Sequence, residues 1–259
     1  MLAKERQNKI YSLLQRNGAV TVANLIKVFD VSIETVRRDL LLMEKEGLLN
    51  RVHGGAVAAG NGIRPQQSLN ARNKENSDKK RNLAYKATQF ISEGDFIFVD
   101  TGSTAIIFAE VLREKFSKLT VVTHSVDVFD VLRGYADFEV ILCGGHYMSE
   151  ENAFYGMLTM DMVGEICTQK AFVCPSAISI DKGICDYQPE LCEVQKKIID
   201  NADKVFILLD SSKFEKRAPL KISDLKKEYC YISDEGLSKE ILKLYKENNI
   251  EVYTWEEKK

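Results

Sequence analysis

No stretch of about 18 consecutive apolar residues occurs, which excludes a membrane-spanning helix on hydropathy. Proline is scarce, with four in 259 residues, and no tract of low complexity accompanies it, so collagen-like and repetitive classes are excluded as well. The amino-terminal MLAKERQNKI lacks the apolar core and small-residue cleavage site of a secretory signal. Six cysteines are scattered without the dense spacing of a disulfide framework and read as reduced thiols. These absences together predict a cytoplasmic protein without a membrane partner. A repeat of about 20–50 residues is also missing, which excludes a solenoid.

A 45% hydrophobic content is enough to bury the core of one large or two ordinary domains. The formal net charge of −2 hides a division. Residues 1–57 hold nine Lys/Arg and six Asp/Glu, leaving 27 and 32 for the rest. A modestly basic head on an acidic body predicts that only the head approaches a polyanion.

Ile10, Leu13 and Leu14 share one helical face, predicting a helix from about Lys4 to Arg16 that Gly18 stops. Thr21 is placed to cap a second helix with the stripe Val22, Leu25, Ile26 and Phe29. Ser32 is placed to cap a third, Ile33 to about Glu46, with Val31 and Val36 as a hydrophobic staple. That helix buries Val36, Leu40 and Met43, ends at Gly47, and is followed by a hairpin in LLNRVHGGAV. Three short helices and a hairpin form a winged helix-turn-helix. Glu34, Thr35, Arg37, Arg38 and Lys45 then point outward. Arg37 or Arg38 is suited to a guanine edge, Ser32 and Thr35 to phosphates or base edges, and Arg51 and His53 to the backbone or minor groove. The competing reading makes Arg37 and Arg38 a solvated pair with Asp39 as partner.

VSIETVRRDL (Val31–Leu40) and EGLLNRVHGGA (Glu46–Ala56) closely resemble the DNA-binding head of the DeoR family of bacterial transcriptional regulators. The resemblance implies binding of double-stranded operator DNA through Ser32, Thr35, Arg37, Arg38, Arg51 and His53, with Gly54 and Gly55 at the hairpin turn.

Beyond the head, a small-residue, Gly-bearing stretch reads as a flexible linker. The expected division is 1–57 for the winged head, 58–70 for the linker and 71–259 for the body. In the body, strands are predicted at 96–100, 119–123, 138–143, 171–175, 204–209, 228–232 and 250–253. Helices are predicted near 104–116, 126–133, 190–202 and 237–247. Strands such as VVT and VFILL are apolar on both faces, as in a mostly parallel sheet covered by helices. Ligands of such sheets bind beyond the carboxyl ends of the strands. There lie Asp100-Thr101-Gly102-Ser103-Thr104, whose helix start suits a phosphate, then His124-Ser125, Gly144-Gly145-His146 and Ser211-Ser212-Lys213. Taken singly, each is explained as a cap, a turn or a surface lysine; together they point to one ligand edge.

The body resembles the DeoR family too, through Arg72 with Asn76 and Lys80, DTGST, LCGGHY, Phe154 to Gly156, KAF (Lys170–Phe172) and DSSKF (Asp210–Phe214). The fold implied is α/β: an N-terminal winged helix-turn-helix plus a C-terminal α/β sugar-phosphate sensor domain similar to ribose-5-phosphate isomerase. On that resemblance Asp100, Thr101, Gly102, Ser103 and Thr104 hold phosphate or nearby hydroxyls, and Ser125, Gly144, Gly145 and Lys213 line the same cavity. Two departures stand out: His124 where the family usually has Asn, and Cys174-Pro175-Ser176-Ala177 where it has G-A-S-G. The second narrows backbone freedom on one pocket wall.

An isomerase needs a carboxylate base, and CPSAIS supplies none before Asp181, while Glu193 and Lys196 read as solvated. Binding without turnover, with no catalytic residue, cofactor or metal, is therefore expected. Two alternatives remain: an isomerase-like enzyme, and a thiol- or metal-responsive regulator using Cys185 and Cys192, which fall near loops. The cysteine spacings match no short zinc pattern, and Cys143 and Cys174 fall in apolar strands. The expectation is a regulator, a repressor by preference, of a sugar-metabolism operon. A phosphorylated sugar would control it, and it would act as a homo-oligomer of at least two chains, because one winged module makes too few base contacts.

Overall fold

A computed structural model describes residues 3–17, 19–46, 48–52, 54–58 and 67–254. The expected helix stops Gly18 and Gly47, the expected DNA contact His53, and residues 59–66 of the expected linker lie outside the described residues. The chain divides into two compact units, Met1–Gln66 and Gln67–Lys259.

The first unit contains α1 (Ala3–Asn17), β1 (Ala19–Thr21), α2 (Val22–Phe29), α3 (Ile33–Lys45), β2 (Leu49–Val52) and β3 (Gly55–Ala58). The predicted stripes bury as expected: Ile10, Leu14, Leu25, Val36, Leu40 and Met43 form one core, with Val31 packed against it. Thr21 accepts from the Asn24 amide at 3.2 Å and Ser32 from the Thr35 amide at 3.2 Å, so both predicted caps hold. The expected hairpin gains a third strand, β1, giving the antiparallel order β1-β3-β2. Gly55 permits it: a β-carbon there would stand 2.1 Å from the Val20 carbonyl oxygen. Asp39 is not a surface partner of the arginines. It is buried, and takes hydrogen bonds from Arg6 Nε at 2.5 Å and Gln7 Nε2 at 3.1 Å.

The second unit opens with α4 (Leu69–Lys74), capped by Ser68. The expected linker is therefore partly ordered, with Ala58 closing β3 and Leu69-Asn70 opening α4. There follow α5 (Ser77–Thr88), β4 (Phe96–Val99), α6 (Ser103–Lys115), β5 (Thr120–Thr123), α7 (Val126–Leu132), β6 (Glu139–Leu142), β7 (His146–Met148), β8 (Ala153–Tyr155) and α8 (Met157–Glu165). The remainder is β9 (Thr168–Val173), β10 (Ala177–Ser179), β11 (Gly183–Asp186), α9 (Pro189–Asp200), β12 (Ala202–Leu208), β13 (Leu220–Ser223), β14 (Cys230–Ser233), α10 (Lys239–Glu247) and β15 (Val252–Thr254).

All seven predicted strands join one sheet in the order β15-β14-β12-β9-β4-β5-β6, and every pairing is parallel. Alternate strand residues feed two cores. Phe98, Val122, Ala171, Val205 and Ile207 pack with Val163, Val194 and Ile198 on one face. Ile97, Val99, Val121, Phe172, Phe206 and Leu208 pack with Leu83, Phe108 and Val128 on the other. From β4 the chain steps outward through β5 and β6, then returns to the opposite side of β4 as β9. The loops after β4 and β9 consequently part at the point where strand order reverses, the crevice in which such sheets bind ligands.

Candidate DNA-reading face and candidate anion site

In the first unit the buried stripe of α3 turns Arg37 and Arg38 outward, and both are exposed, as is Ser32, with Thr35 half-buried. The Ser32 and Thr35 hydroxyls lie 3.0 Å apart across the helix start. Arg51 is exposed on β2, where its Nε donates to Glu44 at 2.8 Å and its amide to the same carboxylate at 2.9 Å. This ties the wing to α3 and holds the Glu44 carboxyl below its usual range, the backbone bond being the largest cause. Gly54, at φ 81°, makes the turn into β3, and its carbonyl accepts from Val22 N at 2.8 Å. Arg37, Arg38, Ser32 and Thr35 thus share one helix, with Arg51 bound to its last turns.

In the second unit, Asp100 follows β4 and is fully buried. Its Oδ2 accepts from Cys174 N at 2.9 Å and Gln195 Nε2 at 2.9 Å, and His124 Nε2 lies 3.1 Å from its Oδ1. Burial pushes this carboxyl up. The His124 hydrogen bond and charge, helped by Cys174 N–H and Gln195, outweigh burial and hold it below the usual range. His124 Nδ1 lies 2.8 Å from the Phe154 carbonyl, so both ring nitrogens face oxygen atoms. Asp100 therefore braces the loops after β4, β5 and β9.

Gly102, at φ 95°, carries the chain into α6 with no side-chain cap. The first-turn N–H groups at Ser103 and Thr104 are thus left to an outside acceptor. The Thr104 hydroxyl is buried without a hydrogen-bond partner among the described residues. Cations gather nearby. Lys80, only 3% exposed, donates to the carbonyls of Arg72 at 2.5 Å and Glu75 at 2.7 Å. Burial, then the Lys213 charge and that of Arg72, lower its pKa to about 8 against a partial upward pull from Asp210. Lys213 donates to the Pro175 carbonyl at 2.9 Å from a 3-10 turn, Ser211–Lys213, whose first amides are held by Asp234 and Asp210. Arg72 pairs with buried Glu151, and a β-carbon at Gly102 would lie 3.6 Å from its Nη1. Asn76 and Lys79 bond to Ser212 and Ser211 and close the group.

The remaining expected residues serve the fold. Ser125 is buried and caps α7 through Val128 N. The Gly144 carbonyl accepts from the Thr159 hydroxyl at 3.0 Å. A β-carbon at Gly145 would strike that hydroxyl at 2.1 Å, so this glycine answers to packing behind edge strand β6, two strands from β4. The departing segment Cys174-Pro175-Ser176 still builds the wall opposite Asp100: an N–H to Asp100, a carbonyl to Lys213, and a hydroxyl to Asp186 at 2.5 Å.

Arg72, Lys80, Glu151, Asp186 and Gln195 were absent from the expected ligand set. Arg72 and Lys80 stood out only through the family resemblance; Gln195, on a helix, and Glu151, in a short turn, gave no signal. After CPSAIS, the carboxylate that is buried beside the site is Asp186 rather than Asp181, and burial pushes it up despite Ser176, Tyr187 N–H and Gln195. Asp181 is exposed beside Arg217, and Glu193 pairs with Lys196 on the surface. Cys185 lies next to the end of β11 and Cys192 in the first turn of α9, both near the connecting loop as expected. Burial raises both thiols, Cys192 to about 12, which opposes thiolate chemistry. No group of three or more metal-ligating side chains occurs among the described residues.

A winged DNA-binding unit joined to an α/β unit with cations at its strand-order reversal defines a ligand-sensing transcriptional regulator. Residues 6–61 match the DeoR-like helix-turn-helix domain and residues 75–235 the DeoR C terminal sensor domain. The chain belongs to the DeoR family and is a regulator rather than an enzyme. It is 33% identical to the lactose phosphotransferase system repressor of Lactococcus lactis subsp. lactis, over 83% of this chain and 85% of that one. It is 30% identical to the L-fucose operon activator of Haemophilus influenzae, over 95% and 97%. Ribose 5-phosphate isomerase A of Methanocaldococcus jannaschii is a distant structural likeness, at 19% identity and TM-score 0.41 over 55% of this chain and 56% of the other.

Proposed function

We propose that this protein represses a sugar-metabolism operon in the cytoplasm, binding double-stranded operator DNA as a homo-oligomer of at least two chains. A phosphorylated sugar, seated on Thr101 to Thr104 with Lys80, Lys213 and the neighbouring loops, releases it. The observation that carries this reading is Lys80, a lysine 3% exposed that shares its surroundings with Lys213 and with Arg72, whose Nη1 faces the uncapped start of α6. Like charges gathered in burial are costly, and the protein's own anions offset them only in part, since Lys80 is still held down although Glu151 pairs with Arg72 and Asp210 pulls upward. The sugar operons named for the two relatives support a carbohydrate ligand, and the first supports repression. The α3 arginines support operator reading, and the modest reach of one winged module supports pairing of heads on two half-sites.

Mobility shift of the full-length protein on its own promoter DNA tests the reading. Release is expected with one phosphorylated sugar and not with its unphosphorylated parent. Release by the parent sugar alone, or none across a panel of sugar phosphates, refutes the anion site. Substituting Thr101 and Ser103 by Ala should abolish release while operator affinity holds.

A further inference from the structure

The guanidinium of Arg72 touches three parts of the body at once. Its Nε donates to the carbonyl of Gln67 at 3.0 Å, where the described body begins. Its Nη2 holds both carboxylate oxygens of Glu151, in the turn between β7 and β8. The Glu151 carbonyl in turn accepts from the Thr101 hydroxyl at 3.4 Å. Its Nη1 faces the start of α6, 3.6 Å from where a β-carbon on Gly102 would stand, an ordinary van der Waals distance. One side chain therefore spans the anion loop, the β7–β8 turn and the residue that follows the inter-unit segment.

A guanidinium fork fits phosphate as well as carboxylate. Turning it to present two N–H groups to an anion at the head of α6 breaks the bonds to Glu151 and Gln67. We propose that Arg72 reports occupancy of the anion site by exchanging Glu151 for the bound phosphate, which frees Gln67 and the chain that leads to the DNA-reading unit. This rests on the anion-site reading above and adds its route of regulation. Lys80 reinforces the link, because its ammonium bonds to the Arg72 and Glu75 carbonyls and pins α4 to the same cations. Glu151, whose burial already pushes its carboxyl up against the pull of Arg72, accepts the loss by taking a proton.

Hydrogen exchange of the full-length protein with inorganic phosphate as probe, against chloride at equal ionic strength, tests this. In the wild type, phosphate should slow exchange at 101–106 and speed it at 67–75. Arg72→Gln should keep the first response, at about tenfold higher half-saturating phosphate, and lose the second. Glu151→Gln, which removes the competing charge, should bind phosphate several-fold more tightly and exchange faster at 67–75 even without it. Unchanged protection of β4, β9 and β12 checks the fold, and Glu151→Gln carries the test where Arg72→Gln fails that check. An equal response at 67–75 in Arg72→Gln, or a wild type that answers at 101–106 alone, overturns the proposal while sparing the anion site. No protection at 101–106 in the wild type removes both.

Discussion

At the scale of single residues, Lys80 sets the pH behaviour of the sensor. Its folded value of about 8 lies below the usual 10.5, so between these limits the unfolded chain holds the extra proton. Its contribution to stability is least favourable below about 8 and improves as pH rises through that window. Anion binding runs the other way, because it needs the ammonium. Affinity for phosphate should fall as pH climbs past about 8, with proton uptake on binding, measured by calorimetry in buffers of different ionisation enthalpy. Lys80→Met should remove that pH dependence. In the head, Arg37→Ala or Arg38→Ala should cost about 1–3 kcal/mol in specific binding, read by mobility-shift titration; unchanged affinity in both would refute the recognition-helix assignment. Residues whose role follows from local pattern were legible in this way. Gln195 and Glu151 were not, because what makes them matter is a partner about 80–95 positions away in sequence, beyond any local spacing rule.

At the scale of elements, the recognition helix depends on a buried polar clasp. Asp39 sits on α3 between exposed Arg38 and buried Leu40, and α1 supplies both of its partners. Asp39→Ala removes the buried carboxylate that Arg6 and Gln7 both bond to, which should destabilise the head by about 1–3 kcal/mol in thermal unfolding. Operator binding should fall with it although no DNA contact is removed. The charge pattern alone paired Asp39 with its neighbours, because a sequence does not say which helix will cover which face. The seven strands of the main sheet and helices α6, α7, α9 and α10 were legible from their apolar runs and periodicity. Strands β7, β8, β10, β11 and β13, outside that sheet, and helices α4 and α8 were not, because nothing in their local pattern marks a side sheet or a short connecting helix.

At the scale of the molecule, the two units divide charge as well as labour. A basic head predicts that the logarithm of operator affinity falls linearly with log salt, with a slope set by its phosphate contacts. Titrating operator binding between about 50 and 200 mM salt checks this. The split was legible in composition, but the docking of α4 at the start of the body was not, because Ser68 as a cap is indistinguishable from a linker serine until Leu69 is buried.

The reversal of strand order beside β4 has a consequence for how such a sensor diversifies. Segments widely separated in the gene, 100–104, 174–176 and 210–213, converge on one rim, and of these residues only Cys174 belongs to an apolar layer. Apart from Cys174 and the buried brace Asp100, the rim can therefore be rewritten without disturbing the layers that hold the domain up. Retuning toward another metabolite should come from short loop swaps that leave melting temperature nearly constant.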